Sequence, residues 1–248
     1  MPLRYGSAVH KFLEVWHRLY QLDPAIDALK MDFKRTLNQQ SIIPLTLQVE
    51  QQIMAEAELL CRKYVERYGT ETEYTFINTE LQGDAPLANG HLLRFRIDGL
   101  VGYDNKLWVA EHKTTRWLGA SFIDGFTFSF QVIAYVYGSS KVLKQPIAGT
   151  LMNFLRKPQA NQEAAFHRML VVTPPSHMRD MLMSFSYIAS EIEDKDPNDM
   201  YQWPQKTKEC GSCQFRNICA FESDPQGASY VSRPQDYVDH QELANVTV

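Results

Sequence analysis

The chain has 248 residues, 44% of them apolar and 12% aromatic, enough to bury the core of one large domain or of a domain with an appendage. That composition sets intrinsic disorder aside. A formal charge of −4 argues against a protein that coats nucleic acid through an overall positive field, though a local basic groove can coexist with a cluster of carboxylates. No apolar run approaches bilayer length and the N-terminus MPLRYGSAVHKF lacks the apolar stretch of a signal peptide, so a cytoplasmic protein without a membrane partner is expected.

In chain order, residues 6–22 carry Val9, Phe12, Leu13, Trp16, Leu19 and Tyr20 at helical spacing. A second helix is expected after Pro24, and residues 47–69 read as a long third one stopped by Gly69. The texture then turns to β in TEYTFINTEL, LLRFRIDGLV and KLWVAEHKTT, punctuated by Gly83, Pro86 and Asn89-Gly90. SFQVIAYVYG reads as a helix, IAGTLMNFLRK and AFHRMLVVT as two more strands, and the stretch from Pro174-Pro175 to Asp194 as a last amphipathic helix. Beyond Pro197 the chain is irregular and holds three of its four cysteines. Helices, a β-meander, then a helix crossing to further strands predict an α/β fold with a mixed sheet. The expected division is a domain over residues 1–196 and a cysteine-bearing extension over 197–248.

The region between residues 92 and 115 carries the chemistry. Alternate side chains on a strand share a face, so Arg94, Arg96 and Asp98 oppose Leu93, Phe95 and Ile97. In the next strand Glu111 and Lys113 share one face, with Trp108, Ala110 and His112 on the other. A turn at Tyr103-Asp104-Asn105-Lys106 folds the strands antiparallel, which lets Asp98 approach Glu111 across the ladder. Two carboxylates that close repel unless a cation lies between them, and Mg²⁺ or Mn²⁺ is the natural oxygen-preferring choice. Lys113 can then orient or help deprotonate water there and stabilise negative charge developing at phosphorus. A solvated strand face with a cross-strand ion pair is the plainer alternative.

Two further motifs flank this pair. Gly6-Ser7-Ala8-Val9-His10 is G-x-x-x-H on the first helix, and Gln131-Val132-Ile133-Ala134-Tyr135 is Q-x-x-x-Y, with both side chains on one face of the later helix. Taken in order with Asp98 and Glu111-His112-Lys113, they resemble the PD-(D/E)XK nuclease superfamily in its RecB-like branch. That resemblance implies a restriction-endonuclease-like core, a central mixed β-sheet flanked by helices. It also implies a divalent-metal-dependent DNA exonuclease, acting in repair, recombination, phage replication or CRISPR adaptation. His10, Asp98, Glu111 and the His112 carbonyl would hold the metal, Lys113 would position or activate the nucleophile, and Gln131 and Tyr135 would steady Lys113 or the DNA strand. The implied partners are DNA and a helicase, recombination or CRISPR adaptation protein. The competing function is a non-catalytic DNA-end-binding subunit of a nuclease or helicase–nuclease assembly.

Cys210, Cys213 and Cys219 form C-x₂-C-x₅-C, a spacing that suits iron–sulfur clusters and zinc alike. It is similar to the triplet that holds a [4Fe–4S] cluster in the CRISPR-associated RecB-like and AddB-type members. Their fourth ligand precedes G-x-x-x-H. Here no cysteine stands before Gly6, and the remaining candidate is Cys61, inside the third helix, where a buried structural thiol is the other reading. Arg116, Arg156-Lys157, Lys206 and Lys208 are expected to be solvated charges. Phe126, Phe128 and Phe130 could stack on bases but are expected to pack in the core.

Overall fold

The computed structural model describes residues 2–40, 46–159 and 162–196. By compactness the chain divides into Met1–Asp194 and Lys195–Val248, and the architecture that follows is that of the first unit. Cys210, Cys213 and Cys219 lie outside the described residues.

Three helices come first: α1 (Pro2–Leu19), α2 (Leu22–Gln40) and α3 (Leu47–Tyr68). They pack through one apolar cluster in which Phe12, Leu13 and Trp16 of α1 meet Ile26 and Leu29 of α2 and Leu60 and Cys61 of α3. Thr46 caps α3 by accepting the Val49 amide, and Gly69 closes its C-terminus. A five-stranded sheet follows in the order β1 (Thr75–Thr79), β4 (Gly99–Tyr103), β5 (Lys106–Thr115), β6 (Ile147–Arg156), β7 (Ala165–Val171). β5 and β6 run parallel and every other neighbour pair is antiparallel, so the sheet is mixed, as expected. Between β5 and β6 the chain forms the short α4 (Ala120–Asp124), a 3₁₀ turn over Gly125–Phe128 and α5 (Phe130–Leu143), and α6 (Pro175–Glu193) follows β7.

The period of two along β6 shows how the layers stack. Leu155 joins the α1–α3 cluster and Asn153 reaches Tyr64 of α3, whereas Met152 and Phe154 pack with Phe122, Phe126 and Val132 from the α4–α5 side. Helices therefore cover both faces, and β5 and β6 are buried through their centres. The β4–β5 turn places Asp104 and Asn105 at φ 51° and 55°, left-handed backbone that Asp and Asn tolerate and that matches strand twist.

One expectation is corrected. LLRFRIDGLV does not make one strand. It splits into β3 (Leu92–Arg96), which pairs with β2 (Gln82–Pro86) as a separate two-stranded leaf, and β4, which enters the main sheet. The junction is pinned where the Ile97 amide donates to the Leu81 carbonyl and the Glu80 amide to the Asp98 carbonyl. Asp98 thus stands between two sheets and not on a strand face. Gly99 follows because a Cβ there would sit 3.1 Å from the Phe76 ring and 3.2 Å from the Asn78 carbonyl. At Gly138 of α5 a Cβ would fall 2.4 Å from the Phe95 ring, so this glycine lets the helix lie close on the β2–β3 leaf.

Candidate active site

The cleft arises where two strands part company. β4 pairs with β5 from Tyr103 opposite Lys106 to Gly99 opposite Ala110, and then the chain turns away into β3. The His112 amide, buried and past the end of that ladder, would lose its partner. The Asp98 carboxylate takes the strand's place, accepting the amide through Oδ2 at 2.7 Å. Its other oxygen, Oδ1, lies 3.2 Å from His10 Nδ1 on α1. A bond of necessity at a strand end therefore fixes a carboxylate at the mouth of the split.

Glu111 and Lys113 project from β5 into the same opening, while His112 between them points to the opposite face. Lys113 Nζ donates to Glu111 Oε1 at 2.5 Å and to Gln131 Oε1 at 2.7 Å. The Gln131 amide in turn donates to the Tyr135 hydroxyl at 2.8 Å, which sets which end of the amide faces the lysine. G-x-x-x-H, the acid, E-x-K and Q-x-x-x-Y thus converge on a single cleft of about 450 Å³, with Arg94 and Arg96 at its rim. Those two guanidiniums are held on the leaf, Arg94 by Asp84 and Arg96 by Glu80.

The electrostatics of the pair of acids are lopsided. Burial opposes ionisation of Asp98, but His10 and the His112 amide outweigh it and hold that carboxyl down at about 2. Burial works against the His10 cation too, yet Asp98 beside it raises the imidazole above its ordinary value. Glu111 goes the other way. Burial, then the Asp98 charge, push it up to about 7 in spite of Lys113. The protein's own cations leave this second carboxylate undercompensated. A divalent ion would correct that, and the side-chain donors present suit a hard one: two carboxylates and an imidazole. The 3.2 Å between His10 Nδ1 and Asp98 Oδ1 is close to the roughly 3 Å that separates neighbouring donors on an octahedral ion of this size. The described residues include no ready-made cage of three or more His, Cys, Asp or Glu side chains, and as they stand His10 and Glu111 bond to Asp98 and Lys113.

Behind the cleft lies a polar network that the sequence reading missed. Asn153 on β6, 1% exposed, donates from Nδ2 to His112 Nδ1 at 2.8 Å and lies 3.1 Å from the Tyr64 hydroxyl. Arg168 on β7 donates to the same hydroxyl at 2.8 Å and pairs with Glu71. The hydroxyl also meets His17 Nε2 at 3.0 Å. Burial drives both histidines towards the neutral form, His112 to about 3 and His17 well below its usual value. The signal was available: Asn153 interrupts the apolar strand IAGTLMNFLR, and an amide there needs buried partners.

Cys61 is fully buried within the α1–α3 core, and burial, then the Glu58 charge, push its thiol well above the usual value. This placement serves packing and opposes the thiolate that metal ligation requires.

A family model described as the PD-(D/E)XK nuclease superfamily matches residues 1–220. The chain belongs to that superfamily, whose members are in general metal-dependent nucleases. No curated protein matches. Among solved structures, "Crystal structure of SSO0001" matches at 13% identity and a TM-score of 0.35, over 86% of this chain and 84% of that one, a similarity too slight to carry an argument. No described helix is long and apolar enough to cross a membrane.

Proposed function

We propose that the chain is a divalent-metal-dependent deoxyribonuclease of the RecB-like branch that works from DNA ends. The observation that carries this reading is the clamp on Lys113, whose ammonium is held between Glu111 and Gln131 with Asp98 and His10 on the same cleft. A lysine fixed by two oxygen acceptors has a set position from which to orient an attacking water, and holding a reactant in line is a large part of phosphoryl-transfer catalysis.

His10, Asp98, Glu111 and the His112 carbonyl would hold Mg²⁺ or Mn²⁺, which supplies Lewis acidity towards the scissile phosphate. Asp98 and His10 set each other's protonation, so that Asp98 remains a carboxylate. Gln131 fixes the height of the lysine, and Tyr135, its phenol pushed up to about 12 by burial and then by the Glu111 charge, stays protonated and anchors Gln131. Arg94 and Arg96 at the rim would meet the DNA backbone. The same resemblance assigns Cys210, Cys213 and Cys219 to a [4Fe–4S] cluster or zinc, which elemental analysis and the iron–thiolate absorption of the purified protein separate. A helicase, recombination or CRISPR adaptation protein would be the partner of such an enzyme.

The test is degradation of end-labelled linear and circular DNA with Mg²⁺ or Mn²⁺ against EDTA. Metal-dependent loss of linear DNA with survival of circles is the expected result. Binding of DNA ends without cleavage under either metal would overturn the catalytic reading in favour of an end-binding subunit.

A further inference from the structure

The aromatic run ahead of Gln131 divides into two halves with different surroundings. Phe122 and Phe126 pack inward, 5.3 Å apart and 5.8 and 5.2 Å from Phe154, within the cluster that includes Val132 and Met152. Phe128 and Phe130 remain outside, 69% and 52% exposed. The expectation of core packing for this trio therefore holds for Phe126 alone. Each outer ring leans on an aromatic of α6, with His177 5.4 Å from Phe128 and Phe185 5.5 Å from Phe130, so both are braced in place.

Phe122, Phe126, Phe128 and Phe130 line a concavity of about 610 Å³ that ends at Gln131. Gln131 also lines the catalytic cleft and accepts the Lys113 ammonium, so the two hollows share a wall. Lys113 Nζ is 6.0 Å from the centroid of the Phe126 ring, which puts the start of the aromatic surface beside the candidate nucleophile-orienting group. Exposed rings scattered over a surface need no explanation, but a hollow walled by four of them and continuous with a phosphate-handling cleft does.

The ligand that fits is a flat π system attached to a phosphodiester. Inside duplex DNA the base faces are covered by their neighbours and reaching one costs unstacking, whereas an unpaired base offers its face to a protein ring freely. Resting on the nuclease reading above, we propose that this concavity is a stacking subsite for an unpaired nucleobase next to the scissile phosphate, so that the substrate engaged is single-stranded DNA or a frayed end. Its other lining groups are Ser121, Gly125 and Ser129, too few polar atoms to read a base edge, so recognition is by stacking and tolerates any sequence.

The experiment uses the full-length chain and a single-stranded oligonucleotide carrying 2-aminopurine, with EDTA present so that binding is read without cleavage. Binding is expected to quench the fluorophore. Phe128→Ala and Phe130→Ala should remove the quench and weaken binding by about 5- to 100-fold, with Phe128→Trp restoring both. Both rings lie on the surface, so unchanged melting temperatures are expected and separate stacking from misfolding. In metal, each alanine variant should cut a normal single strand more slowly. It should lose nothing further on an oligonucleotide with an abasic residue beside the cleavage position, since ring and base act as a pair.

Equal quenching and affinity in wild type and alanine variants would overturn the subsite while leaving the nuclease reading intact. So would a change confined to self-association in sedimentation, which would make a second copy the occupant. Conversely, a wild type that quenches in EDTA but cuts nothing in metal would remove the nuclease reading alone.

Discussion

The two faces of β5 hold equally polar residues and treat them in opposite ways. On one, Glu111 and Lys113 open into a cleft, strained electrostatically and only partly satisfied by each other. On the other, one residue away, His112 is shut into a network in which Asn153, Tyr64 and Arg168 meet one another's hydrogen-bonding needs and the imidazole stays neutral. The strand's alternation thus separates the cleft face from a supporting one. What distinguishes them is the fit between charge and partners, since Glu111 and His112 are both buried.

Breaking the cleft face should have the largest effect. Lys113→Ala is expected to lower metal-dependent DNA cleavage by about 10²- to 10⁴-fold, with a thermal unfolding midpoint close to wild type. A variant that retained activity would take the lysine out of the chemistry.

Acid should act on the opposite face. His17 is neutral in the fold and protonates near its ordinary value when unfolded, so as pH falls below about 6.5 the unfolded state binds the extra proton. Stability then falls as pH falls. His17→Gln, which cannot titrate, should remove that part of the loss, up to about 1.4 kcal/mol per pH unit once the unfolded imidazole is fully protonated. Comparing the two proteins by denaturant unfolding separates His17 from Glu111, whose raised value works in the other direction. Parallel pH profiles would mean that His17 is charged in the fold.

Asn153→Leu removes the donor to His112 and to the Tyr64 hydroxyl. A cost of about 1–3 kcal/mol is expected from buried groups left unpaired, read as a shift in the denaturant midpoint. Cleavage should weaken as well if the His112 carbonyl is held in place by its own ring. A change of one methyl group reaches the cleft from behind: Gly138→Ala drives it into the Phe95 ring that lines the cleft. It should cost about 1–3 kcal/mol through overpacking, and an unchanged midpoint would show that the leaf gives way freely.

Much of this is legible in the sequence. The bounds of β5 coincide with KLWVAEHKTT, the helical period marked α1 and α3, and the separate faces of Glu111 and His112 followed from a period of two. β2 was not, because QGDAP carries Gly83 and Pro86, which read as turn residues; the strand tolerates them as part of a two-stranded leaf with Pro86 at its end. The break at Asp98 was hidden for a different reason. Residues 92–101 alternate well enough for one long strand, and only the competition between two sheets for the same backbone divides them. Phe128 and Phe130 escaped because hydrophobicity says nothing about which rings the core has room for.

The split between β3 and β4 also separates two kinds of change. Register in the main sheet is fixed below Gly99, while the β2–β3 leaf hangs from the pinned backbone at Leu81 and Ile97 and ends in the turn between Leu87 and His91. Two residues added to each strand of the leaf would extend that edge of the cleft by about 7 Å while Asp98, Glu111 and Lys113 keep their places in the backbone. The height of this wall can therefore drift by insertion and deletion while the candidate site stays still.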